Sequence, residues 1–258
     1  VNSYSYSRLK AFKQCPYCYW LHYLNRSMKD KEQGHGVSEF GTLCHEVLEK
    51  YGRGELAEWE LLDEYKELYP QIVVDDSVLW MSEDFTKDMG PKYYEDGEKF
   101  FTGFGGFDFN FVEVELPFEV QYHDFLLNGR IDCIAEDYNE KKLLIDYKSK
   151  GNWKNKAERL EYEKQLYIYA YALKKIHGYY PDKMAFFHFR TNKWTWTNFD
   201  EVKLGLTLKW AEKTVKEIEA AKTYPAIVKT NEGKFDFYCW NFCPYRDCCK
   251  YKMEMQGA

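Results

Sequence analysis

The chain of 258 residues has no apolar run near the roughly 20 residues that a membrane-spanning helix needs. Its first residues, VNSYSYSRLKAF, lack the apolar stretch of a secretory signal, so no export is expected. It also lacks an excess of positive charge. Its 36 Lys and Arg against 42 Asp and Glu leave a net charge of -6, with a pI near 5.7. That excludes a protein held to nucleic acid by its overall field, but it allows a local basic strip and acidic clusters that a cation neutralises. No segment rich in Gly, Ser or Pro reads as a linker, and no internal repeat is present. The length suits one large domain or two small ones. What the chain does have is aromatic mass, 23 Tyr, 18 Phe and 8 Trp, together with eight cysteines. Flat rings fill a core and stack on bases. Cysteines without a secretion signal point to a reducing, cytoplasmic compartment, where paired thiols bind metal more often than they bridge.

The stretch from Gly129 to Lys150 reads as a β-hairpin. Leu126 to Ala135 is apolar and β-branched, 137–140 is a polar turn, and Lys142 to Lys148 is extended again. Side chains alternate faces along a strand. Asp146 and Lys148 therefore share one face, with Ile145 and Tyr147 on the other, and Asp132 is expected opposite to Ile131 and Cys133. Two carboxylates and a lysine can then meet at one end of a sheet. Such oxygen ligands suit Mg²⁺ or Mn²⁺. A lysine beside the cation can orient a water or offset charge on a phosphate. The plain alternative is a hairpin with charges on its wet face.

Around the hairpin, residues 5–25 read as two short helices broken at Pro16, with Tyr6, Leu9 and Phe12 on one face and Arg8, Lys10 and Lys13 on a basic edge or a merely solvated face. Residues 26–37 read as a loop. Ser38 reads as the N-cap of a helix to Tyr51 that carries His45 four residues after Gly41. Residues 56–103 form a helical insert, with a short strand or loop near 71–85. Residues 110–122 alternate as a strand, with Val112, Val114 and Leu116 on one face and Glu113 and Glu115 on the other. After the hairpin comes a basic strip, Lys148, Lys150, Lys154, Lys156 and Arg159, the best local place for phosphates, with a merely solvated loop as the alternative. Residues 157–177 form the clearest helix, with Leu166, Tyr169, Ala170, Leu173 and Ile176 as its stripe and Gln165 sharing a face with Tyr169. Two strands within 183–199 and a helix over 201–221 complete an α/β or α+β core with a mixed sheet.

Four cysteines, Cys239, Cys243, Cys248 and Cys249, crowd the tail, and Cys15 and Cys18 lie in CPYC near the start. Thiolates at such spacing surround zinc or an iron–sulfur cluster. Reduced, buried thiols are the alternative. A ligand set shared between Cys15 and the tail would close the chain ends onto one another.

Taken together, these residues resemble the RecB-type branch of the PD-(D/E)XK nucleases, which includes helicase–nuclease domains, phage exonucleases and CRISPR adaptation nucleases. Ser5, Ser7, Arg8, Leu9, Phe12, Cys15 and Pro16 are similar to the family's opening signature. Gly41 to His45 matches its G-x-x-x-H helix, Gly129 to Asp132 its G-x-x-D strand, Asp146 to Lys148 its D-x-K strand, and Gln165 to Tyr169 its Q-x-x-x-Y helix. The resemblance implies an α/β restriction-endonuclease-like core with a central mixed β-sheet, flanking helices and a cysteine-bound C-terminal tail. It implies a single nuclease domain over 1–258, with a helical insert at 26–104, a catalytic core at 105–222, and a cysteine region made of 1–25 and 223–258. It further implies a divalent-metal DNA exonuclease, ahead of an endonuclease, in recombination, repair or phage DNA processing. His45, Asp132, Asp146 and the Tyr147 carbonyl would hold Mg²⁺ or Mn²⁺, and Lys148 would activate water. Glu115, with Glu113 its rival, would be a further acid, while Gln165, Tyr169 and Lys150 would meet DNA. The iron–sulfur variant of the family implies a 4Fe–4S cluster on Cys15, Cys239, Cys243 and Cys249. Three residues separate Cys239 from Cys243 where the family has two, and Trp240 occupies the family position. Cys248 and Cys18 therefore remain rivals for the fourth ligand, and zinc an alternative group. Cys44 and Cys133 read as small buried residues. A helicase or annealing protein is the implied partner, with no membrane. A non-catalytic nucleic-acid-binding module and a partner-dependent endonuclease are the competing readings.

Overall fold

The computed structural model describes residues 2–25, 27–28, 32, 36–73, 88–229, 236, 238–239 and 242–256. Among them, six strands form one mixed sheet: β1 (Ser3–Ser5), β2 (Asn110–Tyr122), β3 (Phe125–Glu136), β4 (Lys142–Lys148), β5 (Lys183–His188) and β6 (Lys193–Asn198). The order runs β1-β3-β4-β5-β6, with β2 on the other edge of β3. β4 and β5 are parallel, and α6 (Lys156–His177) supplies the long crossover such a pair requires. The other helices are α1 (Tyr6–Gln14), α2 (Pro16–Tyr19) with a π turn at Trp20–Leu24, α3 (Gly36–Gly52), α4 (Leu61–Ile72), α5 (Gly90–Thr102), α7 (Glu201–Ala220) and α8 (Lys250–Gln256).

Helices cover both faces of the sheet, which is why β4 reads as a nearly unbroken apolar run. On one face Leu127, Ile131, Leu144 and Phe186 pack with Leu166 and Ala170 of α6 and Leu208 and Ala211 of α7. On the other, Cys133, Ala135, Ile145 and Phe187 pack with Phe40, Leu43 and Val47 of α3, Tyr65 of α4 and Phe100 of α5. Each large side chain so withdrawn from water contributes about 1.5–3 kcal/mol. α6 starts on Asn155, whose side chain accepts from the Glu158 amide, and stops at Gly178 in the left-handed region.

The strand pattern departs from simple alternation at one place. Ile131 packs on the α6 side but Cys133 on the α3 side. Opposite them on β2, Leu116 packs on the α6 side. Val114 faces Gly52 of α3, where a Cβ would come within 2.5 Å of its Cγ1. Glu115 between them has φ of 49°, which non-glycine residues seldom adopt. Both strands thus reverse their faces together, at Glu115 and Asp132. Ile131 and Cys133 therefore do not share a face, contrary to the alternation expected from sequence, and neither do Val114 and Leu116. A bulge at Val112 leaves that residue exposed.

Other differences are local. β1 is an element that the sequence does not announce. α3 begins at Gly36, so Ser38 lies inside its first turn and not at its N-cap, and Gly36 and Val37 leave the expected loop. The rest of that loop and the segment near 71–85 fall largely outside the described residues. Ile176, expected in the buried stripe of α6, is exposed.

Candidate active site

β3 has β2 along one edge, while β4 and β1 share the other. β4 pairs with Cys133–Glu136, and β1 with Leu126–Asn128. The last β3–β4 pair is Cys133 with Ile145. Beyond it the strands part, and the next residues on each side are Asp132 and Asp146. The ladder is replaced there by a side chain: the Tyr147 amide donates to Asp132 Oδ2 at 2.7 Å. The fork fixes Asp132 and leaves both carboxylates lining a cavity of about 730 Å³.

α3 brings His45 to the same cavity. Gly41 makes the approach possible, since a Cβ there would meet the Ser149 side chain at 3.3 Å. His45 Nδ1 lies 3.5 Å from Glu115 and 3.7 Å from Asp132, and Nε2 lies 3.2 Å from the Tyr147 carbonyl. One ligand atom each of His45, Glu115 and Asp132 lie within 4.8 Å of one another. Asp146 is 1% exposed. Lys148 Nζ stands 2.5 Å from one of its oxygens, yet among the described residues neither oxygen accepts a hydrogen bond in good geometry. Buried polar atoms are nearly always satisfied. A carboxylate left open beside a His–Glu–Asp group fits a hard divalent cation with oxygen and imidazole ligands.

The charges conflict in the way such sites do. Burial, then the charge of Asp146, pushes the Asp132 carboxyl up to about 7 against the pull of His45 and Lys148. Burial disfavours charge on His45, but Asp132 and Glu115 outweigh it and raise the imidazole to about 9. Perturbed groups gathered in one cleft are a mark of functional sites.

A relay positions Lys148. Its Nζ donates to Gln165 Oε1 at 3.0 Å, and Gln165 Nε2 donates to the Tyr169 hydroxyl at 2.7 Å. The Tyr169 ring meets Phe118 edge-on at 5.7 Å, over Gly129. A Cβ at Gly129 would lie 2.9 Å from the Phe118 ring. The glycine of G-x-x-D and the tyrosine of Q-x-x-x-Y are thus one packing unit.

His45, Glu115, Asp132, Asp146, Tyr147, Lys148 and Gln165 all line or flank the cavity. Tyr169 stands behind it, and Lys150 lies outside, paired with Glu158 at 2.5 Å. Glu113 points away, to His177 at 2.9 Å. Sequence reasoning misses Arg130 as a site residue, 3.7 Å from Glu115. It also misses Tyr162, which lines the cavity one turn before Gln165; that helical spacing could have flagged it.

The chain ends meet elsewhere. Cys18 and Cys243 sulfurs are 3.6 Å apart, and Cys15 Sγ accepts from the Cys18 and Ile227 amides, both at 3.5 Å. Cys15, Cys239, Cys243 and Cys249 are buried, while Cys248 Sγ faces the Tyr245 carbonyl. Cys44 and Cys133 are buried in the core, as expected. Tetrahedral zinc at its usual bond length spaces its sulfurs by about 3.8 Å. The Cys18–Cys243 pair meets that spacing, but no three cysteine sulfurs among the described residues lie within 4.8 Å of one another. No helix among the described residues is long and apolar enough to cross a membrane.

The family model described as the PD-(D/E)XK nuclease superfamily matches residues 3–250. A stretch of 82 residues is 34% identical to a subunit of the ATP-dependent helicase/deoxyribonuclease of Clostridioides difficile, covering 30% of this chain and 7% of that protein. A stretch of 78 residues is 33% identical to the corresponding protein of Clostridium tetani, covering 29% of this chain and again 7% of the relative. A crystal structure of a candidate exonuclease from Eubacterium rectale aligns with a TM-score of 0.47 at 13% identity, over 88% of this chain and 85% of that one.

Proposed function

The chain belongs to the PD-(D/E)XK nuclease superfamily, and from that premise we propose that it is a divalent-metal-dependent deoxyribonuclease that removes nucleotides from DNA ends. The observation that carries the reading is the meeting of His45, Glu115 and Asp132 beside the open carboxylate of Asp146, with Lys148 at its side. His45, Asp132, Asp146 and the Tyr147 carbonyl would hold Mg²⁺ or Mn²⁺, with Glu115 as a further acid. A bound cation supplies polarisation of the phosphoryl oxygen and a lowered pKa for water. Lys148, braced by Gln165 and Tyr169, orients the attacking water and offsets charge on the phosphate. The Tyr147 amide holds Asp132 in place.

The exonuclease mode, ahead of an endonuclease, and a place in recombination, repair or phage DNA processing belong to the same proposal, as do a single nuclease domain and a cytoplasmic location. The two clostridial relatives are named as parts of a helicase/deoxyribonuclease. A helicase, joined or separate, is accordingly the proposed supplier of the strand. The cysteine region is proposed to hold a 4Fe–4S cluster, or zinc in its place, on Cys15, Cys243, Cys249 and one of Cys239, Cys248 or Cys18. Linear single- and double-stranded DNA labelled at the 5′ or 3′ end, incubated with and without Mn²⁺, tests the activity. Progressive release from one end only with Mn²⁺ is expected. Cleavage of closed circles at the same rate would replace the exonuclease reading with an endonuclease, and no cleavage with either cation would end both.

A further inference from the structure

A second groove, of about 940 Å³, adjoins the acidic cavity, and Tyr162 lines both. Lys10 of α1 places its ammonium 3.6 Å from the centre of the Tyr162 ring. Lys148 and Lys150 each lie 5.3 Å from it. Burial would raise the Tyr162 hydroxyl, yet these three charges bring it below its usual range. A protein of net charge -6 thus concentrates positive potential beside its acidic cavity. Asp146 and Glu158 offset two of these lysines. Lys10 instead meets Tyr162 and, at 5.8 Å, the ring of Tyr6.

Beside this cluster Trp153 is held rigidly. Its Nε1 donates to Thr195 at 3.1 Å, and its ring meets the rings of Phe186 at 4.9 Å and His188 at 4.8 Å. His188 is in turn fixed by the Lys150 carbonyl at 2.8 Å. The Trp153 ring stays partly exposed, with the Lys150 ammonium 4.9 Å away. Arg190, stacked 3.6 Å over Tyr93, lines the same groove. Cations interleaved with fixed aromatic faces are how a groove takes an unpaired strand, whereas duplex bases have no face to offer.

We propose that Lys10 and Lys150, flanking Tyr162, seat the backbone phosphate next to the one at the acids, and that Trp153 stacks the neighbouring base, so that the groove admits a single DNA strand and rejects duplex. The inference rests on the nuclease reading for the identity of its substrate, but its test does not require cleavage. Binding of a labelled oligothymidylate to the whole chain is followed by anisotropy over a range of salt, with Mg²⁺ and Mn²⁺ withheld. Lys10→Ala should lower the log–log salt slope by about 0.7, the value for one phosphate contact on a single strand. Trp153→Ala should weaken binding by about tenfold or more. An abasic strand should bind wild type as weakly as the thymidine strand binds the Trp153 variant, a comparison that needs no folding of the variant. Duplex of equal length should bind more weakly than either intact strand. Unchanged binding in both variants, or equal affinity for duplex and strand, would overturn the groove even with cleavage intact. Strand binding as described by a wild type that never cleaves would support the groove and remove the nuclease reading alone.

Discussion

Asp132 carries most of the conflict in the site. It is buried, faces Asp146, and has its carboxyl pushed up to about 7. Its folded value stands above the unfolded one, about 3.9. Ionising it therefore costs the fold stability as pH rises from about 4 through about 7. Asparagine removes that cost and still accepts from the Tyr147 amide. Asp132→Asn should abolish metal-dependent cleavage while its melting midpoint in chelator at pH 8 stays level or rises by about 2–4 °C. A marked fall would show that Asp132 serves the fold instead. His45 behaves oppositely. Raised to about 9, its stabilising charge is complete below about 6.5 and is lost as pH climbs through about 9. Both groups must be deprotonated to bind a cation, so Mn²⁺ affinity should rise about tenfold or more from pH 6 to pH 8. A flat profile in titration calorimetry would contradict that assignment.

At the scale of elements, the relay from Gly129 to Lys148 makes its own prediction. Gly129→Ala forces the Phe118 ring aside and should cost about 1–3 kcal/mol, seen as an earlier denaturant midpoint. Tyr169→Phe keeps that packing and deletes only the hydroxyl that holds Gln165. It should lower kcat more than KM while leaving the midpoint within about 1 kcal/mol. α6 and α7 are legible in the sequence because each is long enough to show its period, and β2 and the hairpin because β-rich runs are bounded by polar turns. β1 is not, since three residues have none. The face reversal at Glu115 and Asp132 is hidden because alternation presumes an unbroken pleat, and a positive φ at a glutamate leaves no mark in the sequence. Helical spacing points to Gln165 and Tyr169 but not to the lysines around Tyr162. Those arrive from α1, from β4 and from the loop after it.

Across the whole molecule, the ends are tied together. The Tyr17 amide donates to the Pro225 carbonyl at 3.2 Å, Lys13 pairs with Glu217, and Cys18 meets Cys243 across 225 positions of sequence. A metal group closing so long a loop would restrict the unfolded chain by about 5 kcal/mol. Cys243→Ser should therefore lose bound metal by elemental analysis and melt roughly 10 °C earlier. Protein purified without oxygen should be brown; colourless protein with one zinc would exclude the cluster and leave the nuclease reading standing. The proposed activity requires side chains from α3, β2, β3 and β4 to share one cation. Titration of Mn²⁺ into wild type and into His45→Ala, Asp132→Asn and Asp146→Asn addresses that directly. One ion bound by wild type, and affinity at least about tenfold weaker in every variant, is the predicted result. Wild-type affinity in any two of the three would contradict it.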